Sequence, residues 1–103
     1  IHVPLATEGT SIYSASKASI EQFSKVLSRE LVQFGITTNS LALSIVTNSG
    51  MASHLSDDMT KKILDRTISK IQLNYSDITN SINFLISPES GMVVNQTINL
   101  GGI

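Results

Sequence analysis

Tyr13 and Lys17 stand four residues apart in "SIYSASKAS", with only small side chains between and around them. Residues i and i+4 of a helix lie one above the other, so this spacing can bring an ammonium beside a phenol. A phenol titrates near about 10 and exchanges protons poorly at neutral pH unless its anion is stabilised. An opposite charge within about 4–6 Å stabilises it, and a tenfold gain in acidity corresponds to about 1.4 kcal/mol of such stabilisation. Ser14, Ala15 and Ser16 leave room for a flat ring and a carbonyl compound against Tyr13. The chemistry this suits is proton transfer to a carbonyl oxygen. Spacing alone does not decide it, because ordinary composition places a lysine four residues after a tyrosine about one time in twenty.

The pair needs a helix to hold it. From about Ser11 to Phe34, Ile20, Phe23, Leu27, Leu31 and Phe34 recur at helical spacing with no internal Gly or Pro, and Gly35 supplies a stop. At 100° per residue Tyr13 and Lys17 share a side with Ile20, Leu27 and Leu31, which points the pair toward the body of the protein. Ala15, Ala18, Gln22, Val26 and Arg29 lie opposite, on a face that is either a subunit contact or plain solvent surface.

The stretch "ITTNSLALSIV", 36–46, is apolar and β-branched enough for a strand covered on both faces, as in parallel sheets. A second helix is expected over about 56–71, with Ser56, Asp57 and Asp58 at its start. A third is signalled by Ser76 and Asp77 and by Ile78, Ile82, Leu85 and Ile86, and ends before Ser87-Pro88. "NQTINL", 95–100, alternates as a short strand closed by Gly101-Gly102. Two strands with three helices leave a sheet edge open and one face thinly covered, so the expected domain is incomplete.

Composition removes several function classes. The 103 residues are 41% hydrophobic, enough for one small domain, and seven basic against eight acidic residues give a net charge of -1 with no basic stripe for nucleic acid. Cysteine is absent, so there is no disulfide framework, thiolate nucleophile or cysteine metal site. No apolar run reaches the roughly 20 residues that cross a bilayer, and the start resembles no signal peptide, so a cytoplasmic setting is the default expectation. His2 and His54 lack ligand spacing and no metal is expected; the glycosylation patterns at Asn74 and Asn95 are most simply chance matches.

"YSASKASIEQFSKVLSRELVQFGITTNSLAL" and "FLISPESGMVVNQTINLGG" together resemble the short-chain dehydrogenase/reductase family, from about Tyr13 to Gly102. In that family Tyr-x-Ala-Ser-Lys opens a long helix and an Asn-bearing strand follows it. The resemblance implies an α/β fold, a doubly wound Rossmann-type parallel sheet, of which this chain is the C-terminal part. It further implies that Tyr13 is the general acid/base and that Lys17 assists it and holds the nicotinamide ribose of NAD or NADP. Within that family the sequence is similar to 3-oxoacyl-carrier-protein reductases.

Three departures accompany the resemblance. No G-x-G-x-x-G turn occurs, so most of the dinucleotide site is missing from residues 1–103. The family's serine sits about a dozen residues before the tyrosine, which reaches or passes Ile1; Thr10 and Ser11 are too close to replace it. The family's Pro-Gly and following Thr appear as Leu43-Ser44-Ile45-Val46-Thr47-Asn48, so Ser44 brings a side chain beside the expected nicotinamide. Val46 retains a backbone to offer the carboxamide, and Asn48 an amide near the pyrophosphate. Met51, Leu55 and Met59 fall where the family has its substrate loop and lid, suited to a hydrophobic acyl substrate, although packing of an amphipathic helix explains them equally well.

Two functions follow as expectations. One is an NAD(P)-dependent reductase of a small-molecule carbonyl, assembled as a homo-oligomer through the 11–34 helix. The other is a catalytically inactive assembly subunit with the same elements. The adenosine side, and with it the choice between NAD and NADP, is not encoded in these residues.

Overall fold

The computed structural model describes residues 8–102, which leaves Ile1 and His2 outside the described residues. Its first element is helix α1, Ser11–Leu31, continued by a 3₁₀ turn Val32–Phe34. Gly35 ends it at φ 74°, a left-handed conformation that costs glycine little, and its N–H returns to the Val32 carbonyl. At the other end the Ser14 N–H bonds the Thr10 carbonyl at 2.7 Å, and the Thr10 and Ser14 hydroxyls meet at 3.0 Å.

Strand β1, Ser40–Leu43, pairs in parallel with β2, Thr97–Leu100, in the register Ser40 to Thr97 through Leu43 to Leu100. The ladder is shorter than the 36–46 stretch expected from sequence. Its limits lie in the partner: Asn95 (φ 60°) and Gly101 (φ 95°) turn the backbone out of extended geometry on either side of β2. Pairing continues by other means, since Val46 forms an isolated parallel bridge with Leu73. The partly exposed β1 residues also differ from the fully covered strand expected, because β1 has only β2 beside it in the described sheet.

Helix α2, Asp57–Leu64, is capped by Ser56, whose Oγ accepts the Met59 N–H at 3.3 Å. It stops seven residues short of the expected end at 71. The reason is competition for backbone partners: the Thr67 hydroxyl donates to the Leu64 carbonyl, and the Ile68 and Ser69 N–H groups bond the Gly102 and Gly101 carbonyls. The chain thus leaves the helix to fasten the end of β2. Helix α3, Tyr75–Ile86, starts just ahead of the expected Ser76-Asp77 signal. Asn74 precedes it, and its N–H donates to Asp77 Oδ2 at 2.7 Å, so Asp77 serves from the first turn.

Polar contacts hold the layers in place. Ser28, 2% exposed on the inner face of α1, bonds the Thr38 carbonyl at 3.0 Å and the Thr38 hydroxyl at 2.8 Å. Asn39 clasps the loop before β2, donating to the Val93 carbonyl at 2.8 Å and accepting the Gln96 N–H at 3.0 Å. Val46 and Leu73 are the buried apolar residues among those described. Leu27 and Leu31 are half-buried as the helical stripe predicts, but Ile20, Phe23 and Phe34 remain exposed. A helix of 21 residues is about 30 Å long, and four-residue strands lie under only a part of it.

Candidate functional site

Between α1, the β1 strand with its continuation to Val46, and the segment leading into α2 lies a cavity of about 710 Å³. Tyr13 and Lys17 line it from the first turns of α1, and Ser44 and Val46 line it from beyond the end of β1. Met51 and Leu55 join from the loop between Val46 and α2. Six of the residues singled out in the sequence therefore share one concavity. Asn48 does not line it: the residue is exposed, with a left-handed backbone at φ 56°. Met59 is also outside, and Ile63, one turn later on α2, takes a place in the wall.

The ammonium of Lys17 lies 5.4 Å from the centroid of the Tyr13 ring. This is a cation over an aromatic face, a contact worth roughly 0.5–1 kcal/mol where solvent reaches it, and it places the charge next to the phenol. Tyr13 is 38% exposed, so its ring is reachable from the cavity. The small residues behind it are occupied with the helix, Ser16 donating to the Tyr13 carbonyl and Ser19 to the Ser16 carbonyl at 2.7 Å each.

At the opposite wall the Val46 carbonyl accepts the Ser49 N–H at 3.2 Å, while the Val46 N–H makes no hydrogen bond among the described residues. A backbone N–H left without a protein partner is a donor that a ligand carbonyl could use. Ser44 is buried, its N–H donating to the Leu100 carbonyl at 3.1 Å. A phenol, an ammonium, a free backbone donor and an apolar wall around one opening fit the nicotinamide end of a dinucleotide. Phosphate-binding groups of the Gly-rich kind are absent from the sequence itself.

Sequence reasoning passed over Glu21 and Lys25, which also line the cavity. The signal was present, because 13, 17, 21 and 25 continue the same four-residue step along α1. Among the described residues no three His, Cys, Asp or Glu side chains gather as a metal site, and no helix is long and apolar enough to cross a membrane.

A protein family described as Enoyl-(Acyl carrier protein) reductase matches residues 2–102. The chain belongs to the short-chain dehydrogenase/reductase family. Within it, the chain is 33% identical over 98 residues to the 3-oxoacyl-(acyl-carrier-protein) reductase FabG of Staphylococcus epidermidis, covering 95% of this chain and 40% of the relative. The FabG of Escherichia coli is 33% identical over 94 residues, 91% of this chain and 38% of its own length. Nodulation protein G of Azospirillum brasilense is 30% identical over 94 residues, with the same coverage. The chain thus spans about two fifths of the length of these curated relatives. Helices around a small parallel sheet are what a part of a Rossmann-type member of this family contains.

Proposed function

We propose that these residues form the proton-transfer side of an NAD(P)-dependent carbonyl reductase that acts on 3-oxoacyl or similar substrates. The observation that carries this reading is the Lys17 ammonium over the Tyr13 ring at a cavity that Val46, whose N–H has no hydrogen bond among the described residues, also lines. The bound nicotinamide would supply or accept hydride at the carbonyl carbon. Tyr13 gives its proton to the carbonyl oxygen, and the Lys17 charge stabilises the phenolate left behind and holds the ribose hydroxyls. With the cofactor bound, Val46 would offer its N–H to the carboxamide, Ser44 would belong to the same wall, and Asn48, outside the cavity, would offer its amide to the pyrophosphate. Met51 and Leu55 give the acyl part of the substrate an apolar wall.

Residues 1–103 are one incomplete Rossmann-type domain in this reading, and the phosphate-binding turn and the serine that polarises the carbonyl come from outside them. The relatives named as reductases favour this over a silent assembly subunit. Assembly through α1 accompanies it: Ile12, Phe23 and Phe34 are exposed along the helix, next to the Ala15, Ala18 and Val26 face. The test is to supply the complete gene product with NADH or NADPH and a 3-oxoacyl thioester. Consumption of either nicotinamide dependent on the thioester is expected, and no consumption of either with any oxoacyl or simple ketone substrate overturns the reading.

A further inference from the structure

The mechanism above leaves one enclosed polar group without a task, the hydroxyl of Ser44. Ser44 is 8% exposed, and its Oγ is shut off from solvent without a hydrogen-bond partner, although the residue lines the cavity that holds Tyr13 and Lys17. A side chain aimed into an open cavity would be wetted. The hydroxymethyl group is therefore turned the other way, against the end of β2, and there it meets Gly101. A Cβ on Gly101 would lie 2.7 Å from Ser44 Cβ, closer than packed atoms allow, and in ordinary contact with Ser44 Oγ at 3.4 Å.

Both backbones are tied where they approach each other. The Ser44 N–H donates to the Leu100 carbonyl at 3.1 Å, and the Gly101 carbonyl accepts the Ser69 N–H at 3.1 Å from the far side. Ser69 Oγ also lies 3.7 Å from the position a Gly101 Cβ would take. A Cβ at 101 would therefore push the Ser44 Cβ, and with it the chain just beyond β1, away from β2 and toward the cavity that Ser44 lines.

We infer that Ser44 and Gly101 are a matched pair: the absence of a side chain at 101 lets the chain at Ser44 sit close against the end of β2 and so keeps the site open to the nicotinamide end of a dinucleotide. The ligand class rests on the reductase reading, whereas the pairing rests on the geometry alone. Gly101 is a positioning residue in this account, since it acts through Ser44.

A double-mutant cycle in the complete gene product separates displacement from backbone strain, which Gly101→Ala also introduces at φ 95°. Thermal unfolding without ligand is measured for Ser44→Gly, Gly101→Ala and the double variant, followed by calorimetric titration with NADH and NADPH. The double variant should melt higher than the two single changes predict when added. Gly101→Ala should bind dinucleotide about tenfold or more weakly, and the double variant should recover most of that loss. Should Gly101→Ala not fold, Ser44→Val makes the same point, because only one of its two branches can take the enclosed place of Oγ and the other, turned toward the cavity, should weaken binding in a protein that still melts cooperatively. Additive melting temperatures, or wild-type binding by Gly101→Ala or Ser44→Val, would overturn the inference. A wild-type protein that binds neither dinucleotide would overturn the reductase reading and the ligand role with it, while the melting cycle still decides whether the two positions are coupled.

Discussion

Lys17 acts at the scale of a single charge. Its ammonium over the Tyr13 ring has no other ion pair among the described residues, so its position depends on the ring and on the helix that carries both. Lys17→Met should lower turnover on the order of a hundredfold, because the phenolate loses its counter-charge while the helix keeps a side chain of similar reach. Steady-state kinetics on the complete gene product check this; a rate within about threefold of wild type would remove the lysine from the mechanism. Ser28 is a residue of the opposite kind, far from the chemistry and sealed between α1 and Thr38. Ser28→Val should cost about 1–3 kcal/mol in urea unfolding, since the Thr38 carbonyl and hydroxyl both lose their partner. Little change in the unfolding midpoint would show that water replaces the serine.

The elements differ in how openly the sequence declares them. Helix α1 was legible almost to the residue, because one long apolar stripe and a terminal Gly35 specify a helix by themselves. The end of α2 was not: Thr67, Ile68 and Ser69 suit a helix locally, and only the distant carbonyls of Gly101 and Gly102 draw them out of it. The short β1 is a similar case, limited by left-handed residues flanking β2 rather than by anything within 36–46. In the site, Tyr13 and Lys17 were readable from their motif, whereas Glu21, Lys25 and Ile63 belong to the wall through the packing of three elements. Asn39 shows how one side chain joins such elements, holding the Val93 carbonyl and the Gln96 N–H at once. Asn39→Leu should destabilise by about 1–3 kcal/mol and loosen the entrance to β2. Faster amide exchange at Gln96 and Thr97 is the expected signature, and unchanged exchange there would show that the ladder fixes the loop without Asn39.

The whole molecule carries more exposed apolar surface than a self-sufficient domain retains, with Ile12, Ile86 and Met92 each more than 70% exposed. Among the described residues Val46 and Leu73 alone make a small buried core, and the curated relatives are about two and a half times as long as the stretch they share with this chain. In the reductase reading, residues 1–103 by themselves should bind neither NADH nor NADPH in a calorimetric titration, because they carry no Gly-rich phosphate-binding turn; binding at about micromolar strength would contradict this. The most direct measurement is then the rate of nicotinamide-dependent reduction of a 3-oxoacyl thioester by the complete gene product carrying Tyr13→Phe. Removing one hydroxyl from a helix that stays folded should lower the rate by about 10²–10⁴-fold, the usual worth of a general acid. Turnover equal to wild type would show that Tyr13 is not the proton donor.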